Sequence, residues 1–472
     1  MGCSNTNTIE ANNSQNTYFQ SNDNIKILSI RVGNDSFDYQ PPQKNTTKTT
    51  NYQISQNIIS GSKNRIDIKS IIDKEKCKQL TSKLPKRETT HLSSFKETIN
   101  NLTINLNPQE KAFILFLWIG QNINYDAEGF FLGLKVDVTP EGVFENGSTV
   151  CSGYSRLYRD IGVYIGLTIE NVSCYAKGVG YNPGDKFTST DHEYNVIKFN
   201  DIWYPIDSTW GAGHIEDRHY VREFKEFYFC CEPEYLIRTH FPSEEKWMLT
   251  EKKYTLDEFS NWVKIRSDFY SLGFYKCIPD NCVININNNG SNNFQKFIIW
   301  HRNMKNMQAQ CSVHLLIDNC YYEQSNLDFI FYYDDRCEIN CVFNKKGKYK
   351  IKIFGNTKET NTNKGLLEYI VNVENDAQKE LFYPFTYTAV RDLYLIEPLY
   401  DNLKQGQKVK FKFKSDYFNT ITIIDQEWNY LKKNNEGFFE KEIIIQSQSG
   451  QTISVCGNNN SSYTTLIQYK VV

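Results

Sequence analysis

The sequence predicts an α+β protein, a helix-and-strand core followed by two all-β sandwich domains, and three observations carry that prediction. Residues 112–119 are apolar on every face, and from Cys151 apolar residues recur at three- and four-residue steps, so both stretches read as helices. Two β-rich runs, residues 192–199 and 202–207, are separated only by Asn200 and Asp201, a hairpin signal. From about Cys277 onward helical periodicity almost disappears, and short strands with turn residues between them take over.

Composition narrows the functional classes. At 472 residues the chain is about three domains long. Its 53 basic and 55 acidic residues leave a net charge of −2, so no global field is available to hold nucleic acid, and none is expected as a partner. The longest apolar run, 112–119, falls far short of the roughly twenty residues of a membrane span. With 31 Tyr and 30 Phe the chain has ample material for packed cores. The 13 cysteines are odd in number and unevenly spaced, and the chain start lacks an apolar signal segment. These features predict free thiols in the cytosol, and with them sequons such as Asn101, Asn146 and Asn171 that merely reflect an Asn-rich composition. The pairs Cys277/Cys282 and Cys337/Cys341 lack zinc-ribbon spacing and a matching histidine pair, so they read as buried thiols; no metal and no cofactor is expected.

The chain begins Met1-Gly2-Cys3-Ser4-Asn5-Thr6, which fits N-myristoylation of Gly2 with Cys3 as a neighbouring palmitate acceptor. Two acyl chains would hold the protein as a peripheral molecule on the cytosolic face of a membrane. The rest of residues 1–63 is rich in Asn, Gln, Ser and Thr and is expected to be a disordered tether. A helix over 66–84, ending at Pro85, would open the next domain.

Residues 64–272 form the expected catalytic domain. Asn107 is an N-cap, Pro108 occupies the first helical position and Glu110 follows three residues after the cap, so the core helix starts there. Gln121, near its end, is either an amide donor to an oxyanion or a solvated helix end. The second helix places Cys151 in its first turn, where orphan N–H groups and the positive helix end favour a thiolate. With Asn200-Asp201 as the turn, Phe199 faces Ile202, Tyr194 faces Asp207 and His192 faces Thr209, which puts His192 and Asp207 diagonally on one face. A carboxylate there would orient the imidazole and stabilise its cation. The sequence thus nominates Cys151 as nucleophile, His192 as general base and acid, and Asp207 as orienting carboxylate, with Trp210 and Tyr194 as walls or supports of the site. His214, His219, His240 and His301 read as loop or surface residues, since His214 and His219 lie five apart without an H-E-x-x-H arrangement.

These motifs resemble a known family. Cys151-Ser152-Gly153-Tyr154, Ala176-Lys177-Gly178, His192-x-x-Asn195-Val196 and the run from Trp203-Tyr204 through Asp207-Ser208-Thr209-Trp210-Gly211 resemble the core of the transglutaminase-like superfamily, and within it the kyphoscoliosis peptidase group. The flanking Trp118-Ile119 through Asp126, and His240-Phe241-Pro242 with Trp247, resemble that group as well. The resemblance covers about residues 90–270. It implies a papain-like, transglutaminase-like catalytic fold in which Cys151, His192 and Asp207 hold the roles given above. Two positions depart from the pattern: Tyr194 stands where Trp is usual, and Glu193 replaces a small residue, with substrate choice as the property it would alter.

The chemistry expected is acyl transfer to water or to an amine through a thioester on Cys151. The triad does not separate a peptidase or amidase from a cross-linking transglutaminase. No dense calcium-binding loop accompanies it, so hydrolysis of a protein substrate is the first expectation. A catalytically silent scaffold between membrane and cytoskeletal proteins is the alternative.

In the second half, Lys346-Gly347 precedes the alternating 349–353, and Gln405-Gly406 precedes the alternating 409–413. Further strands are expected at 297–300, 313–317, 329–333, 420–424, 442–445, 453–455 and 465–469. Two sandwiches fit, 273–382 and 383–472. The resemblance makes them immunoglobulin-like and gives them cytoskeletal partners as their expected role. Their lysine-rich strand faces read as solvated sheet.

Overall fold

The computed structural model describes residues 65–287, 293–360, 362–387, 393–459 and 462–472, with the backbone of a short antiparallel hairpin, Ile30–Val32 and Asp35–Phe37. Apart from that hairpin, the tether expected over residues 1–63 lies outside the described residues, as do its acyl acceptors Gly2 and Cys3. Among the described residues, one compact unit holds those from 65 to 380, and a second takes in those from 381 to 472.

The first unit is built around the core helix Pro108–Asn122. The Asn107 side chain accepts the Glu110 N–H at 2.8 Å, Pro108 sits where no intrahelical N–H is needed, and residues from Ala112 through Gly120 are all buried. Trp118 lies inside and donates its indole N–H to the Pro85 carbonyl at 3.0 Å. The cysteine helix, Cys151–Tyr164, packs on the core helix through Tyr154 and Tyr158, one turn apart and fully buried. Their hydroxyls donate to the carbonyls of Ile123 (2.8 Å) and Ala112 (2.9 Å), so two large apolar rings enter the core without stranding a polar atom. The single helix expected over 66–84 is two, Ile68–Ile71 and Lys74–Thr81. Asp67 and Asp73 each cap their own helix, and Ile72 between them is extended, because an Asp side chain that accepts N–H groups ahead of it starts a helix better than it continues one.

A four-stranded antiparallel sheet, ordered His240–Pro242, Thr168–Ala176, His192–Phe199, Ile202–Ile206, lies beside the helices. The hairpin pairs Phe199 with Ile202 and continues to Asn195 with Ile206. Asn200 and Asp201 both have positive φ, 48° and 63°, which a two-residue turn matching the strand twist demands. The expected pairings of Tyr194 with Asp207 and of His192 with Thr209 do not form. Asp207 leaves the ladder to cap the helix Ser208–Ala212, and His192 pairs instead with Cys174 on the opposite neighbour.

Still within this unit, residues beyond 272 form two sheets. One is ordered Phe274–Ile278, Phe294–His301, Arg336–Val342, Asp328–Tyr332; the other is built on Cys320–Gln324, Met307–Ile317, Gly347–Thr357 and Lys364–Val373. The short strand Lys264–Ile265 extends the second sheet by pairing with Glu368 and Leu367. The Lys264 ammonium reaches back to the carbonyls of Gly178 (2.8 Å) and Tyr181 (3.2 Å).

The second unit has a five-stranded sheet and a three-stranded sheet, the latter of Tyr394–Glu397, Lys408–Lys414 and Phe438–Ile444. Its lysine-rich strand face is paired across the sheet, Lys408 with Glu442 and both Lys410 and Lys412 with Glu440. Among the described residues all cysteines are free, and no helix is long and apolar enough to cross a membrane.

Candidate active site

Cys151 is the first residue of its helix, directly after the short strand Ser148–Thr149 and the extended Val150. Gly153 lets that first turn close down, since a Cβ at this position would run into the Thr149 side chain. Cys151 is half-buried, whereas Cys174, Cys230 and Cys231 are buried, with thiols that burial pushes up.

His192 opens its strand with Nε2 2.8 Å from Asp207 Oδ2. Nδ1 is then the ring nitrogen not committed to Asp207, and Cys151 is close enough to interact electrostatically with the imidazole. Burial works against a charged ring, but the charge and hydrogen bond of Asp207, with the contact to Cys151, outweigh it and raise His192 to about 10. The ring is therefore a cation at neutral pH. Burial likewise opposes the Asp207 anion, and the two histidines facing it hold its carboxyl well below the usual range.

The second of those histidines is His240, which the sequence reading left on the surface. It is fully buried at the start of the edge strand, paired with Ala176, and its Nε2 lies 3.0 Å from the same Asp207 Oδ2. Its Nδ1 is 2.9 Å from Thr239 Oγ1. Burial keeps its pKa below the ordinary value, so it is a neutral ring with an N–H to give. Asp207 Oδ1 accepts the backbone N–H groups of Thr209 (2.8 Å) and Trp210 (3.0 Å). The carboxylate thus takes four donors, two on each oxygen.

Trp210 covers the pair of histidines, with ring centroids 4.3 Å from His240 and 5.5 Å from His192, and the buried Tyr194 ring stands 5.7 Å from His240. Gln121 is exposed on the last turn of the core helix. Tyr125, which sequence reasoning passed over, pairs with Thr149 beside the cysteine helix; burial, and next the charge of Cys151, push its hydroxyl up. Glu193 points away from the triad, accepting from Ser155 Oγ and, at 3.1 Å, from Asn171 Nδ2 between the cysteine helix and the sheet. His301 is also buried rather than superficial, with Nε2 2.7 Å from the Leu272 carbonyl, while His214 is half-exposed beside Glu223 and His219 is exposed. Among the described residues, His192, Asp207 and His240 alone form a group of His, Cys, Asp or Glu side chains close enough to hold a metal ion. Both rings direct Nε2 to one carboxylate oxygen, so hydrogen bonding accounts for the cluster without one.

The half-buried Cys151 on its helix and the buried His192 and Asp207 at the sheet are residue types that can support thiol-based acyl transfer. The chain is similar to known proteins over part of its length. Residues 256–384 match the family described as KY-like, immunoglobulin-like domain. Over 201 residues, 42% of this chain and 30% of the relative, the sequence is 28% identical to the kyphoscoliosis peptidase of Mus musculus. Hillarin of Drosophila melanogaster is 28% identical over 180 residues, 35% of this chain and 22% of that protein. The Lim and transglutaminase domain protein ltd-1 of Caenorhabditis elegans is 27% identical over 153 residues, 29% and 21% of the two chains. The chain therefore matches less than a third of the length of these relatives. A solved transglutaminase structure covers 37% of this chain and 38% of its own at 18% identity, with a TM-score of 0.20. Over these stretches the chain is similar to proteins of the kyphoscoliosis peptidase group.

Proposed function

We propose that the protein is a cysteine-dependent acyl-transfer enzyme acting on proteins, with Cys151, His192 and Asp207 as its catalytic residues. The observation that supports this reading most directly is the 2.8 Å bond from Asp207 to a histidine whose ring also meets the Cys151 side chain. In the reaction, the Cys151 thiolate attacks a carboxamide or peptide carbonyl, and the His192 cation gives its proton to the departing ammonia or amine. This leaves a thioester on Cys151 and a neutral His192. The imidazole then takes a proton from water as the oxygen attacks the thioester, which frees the carboxylic acid and restores the thiolate. A lysine amine in place of water would leave an isopeptide bond. Hydrolysis is the reaction we propose first.

The experiment incubates the purified protein with a glutamine-containing peptide, with and without a fluorescent primary amine, and follows ammonia release, peptide cleavage and amine incorporation by mass spectrometry. Wild-type protein should show turnover that Cys151→Ala lacks. Absence of all three products, together with iodoacetamide labelling of Cys151 no faster than that of the half-buried Cys320, would overturn the reading. The tail pattern at Gly2 and Cys3 adds the proposal of a peripheral membrane location, which a Gly2→Ala protein that still pellets with membranes would remove. Cytoskeletal partners for the β domains are proposed on the resemblance alone.

A further inference from the structure

We propose that His240 is a positioning residue of this site: by donating Nε2–H to the Asp207 oxygen that faces His192, it holds the carboxylate as the fixed anionic partner of that imidazole. The inference rests on the reading of Cys151, His192 and Asp207 as the catalytic group.

Asp207 Oδ2 sits in a buried place: the Asp207 and His240 side chains are fully covered, and the His192 side chain is 7% exposed. An anionic oxygen with a single donor in such a place is costly, and a second N–H offsets that cost. Rotation of the carboxylate away from His192 is opposed at both ends. Oδ1 is tied to the Thr209 and Trp210 amides, and Oδ2 is tied to His240 across the sheet.

His240 is itself anchored. Thr239 Oγ1 lies 2.9 Å from Nδ1, which leaves Nε2–H for Asp207 when the ring is neutral, and Trp210 and Tyr194 pack on its faces and edge. The neutral state matters because the two imidazole centroids are 5.1 Å apart. Two cations at that distance would repel, so one ring carries the charge and the other supplies only a dipole. The groups facing this cluster fit the division. Tyr125, Cys174, Tyr194, Tyr228 and Cys231 feel the Asp207 charge as neutral phenols or thiols whose ionisation burial suppresses. His192 is faced by Asp207, by Cys151 and, at its own strand start, by Asp191, whose Oδ1 accepts the Ala176 N–H at 2.7 Å.

The test measures the His192 titration midpoint by NMR of histidine-labelled full-length protein, alongside the iodoacetamide rate of Cys151 across pH. A hydrogen bond to a charged group is worth a factor of roughly ten or more. Without that donor the carboxylate is free to turn from His192, so His240→Ala should lower the His192 midpoint, and with the imidazole less firmly held it should slow Cys151 alkylation at pH 7 about tenfold. His240→Gln, whose amide still donates, should restore most of both. An unchanged midpoint in a folded His240→Ala protein, or a His240→Gln protein as impaired as the alanine variant, would overturn the proposal. Should neither variant fold, Thr239→Val, which frees the ring without removing it, serves the same purpose: a lowered midpoint supports the inference and an unchanged one overturns it. If wild-type Cys151 proves unreactive while the midpoint still responds to His240, the catalytic reading fails and the positioning role stands.

Discussion

Asp207 caps the helix that carries Trp210: its Oδ1 accepts the Trp210 N–H at 3.0 Å while its Oδ2 accepts from His192 at 2.8 Å. One carboxylate therefore sets both the orientation of the imidazole and the place of the indole above it. The two functions can be separated by substitution.

Asp207→Ala removes cap and counterion together. It should cost about 3 to 5 kcal/mol, since two buried histidines and two amides lose their acceptor. Asp207→Asn keeps an oxygen for the cap, so its stability loss should be smaller. It presents the wrong donor pattern to His192, and its acyl-transfer rate should fall on the order of 10⁴-fold. Urea unfolding and peptide turnover, measured side by side, check both; an asparagine variant with near wild-type turnover would contradict the orienting role.

The pH dependence of stability has a definite sign. His192 is raised to about 10, so its contribution is complete below its unfolded value of about 6.5 and is lost as pH rises through about 10. Asp207 is lowered, so its contribution is complete above its unfolded value of about 3.9 and is lost as pH falls through the lower folded value. The stability difference between wild type and Asp207→Asn should accordingly be largest between about pH 4 and 6.5 and decline on both sides. Urea midpoints at half-unit pH intervals test this, and a difference that keeps growing above pH 10 would refute it.

Gly153→Ala places a methyl group against Thr149 in the turn that presents Cys151, whereas a Cβ at Gly180 meets nothing within 4 Å. The first substitution should destabilise by about 1 to 3 kcal/mol and slow Cys151 alkylation. Gly180→Ala should leave both unchanged. Equal effects from the two would show that the tight turn is not what places the thiol.

Glu193→Ala breaks a part-buried network with Ser155 and Asn171 that lies on the far side of its strand from His192. It should lower stability by about 1 to 3 kcal/mol, and leave the Cys151 alkylation rate and the peptide preference as they were. A shift in preference would restore the substrate-selecting role expected of this residue from the sequence.

Much of the site was legible because its parts are local. Asn107-Pro108 with Glu110 announces the core helix, and Asn200-Asp201 fixes the hairpin register as far as Ile206. The register argument then failed by one residue, because a cap at Asp207 competes with the ladder and local capping won. It nevertheless brought His192 and Asp207 together, as a strand end and the turn after its partner strand are close either way. His240 was not legible from periodicity. It comes 33 residues after Asp207, and only the pairing of an edge strand with Ala176 brings it to the carboxylate. The strands beyond 272 were visible through their alternation, most clearly within Gly347–Thr357 and Lys408–Lys414, where buried positions alternate with half-buried or exposed ones along much of each strand.

The short strand Lys264–Ile265 has a mechanical consequence. It is bonded into the sheet of the KY-like, immunoglobulin-like region, while the Lys264 ammonium grips the carbonyls of Gly178 and Tyr181, in the segment that leads to His192. Gly178 and Lys264 are 86 positions apart along the chain. Together with the Lys177 ammonium on the Trp262 carbonyl, the Lys264 side chain ties the β region directly to the approach to the imidazole, so a shift of the short strand would be felt there without passing along the intervening polypeptide.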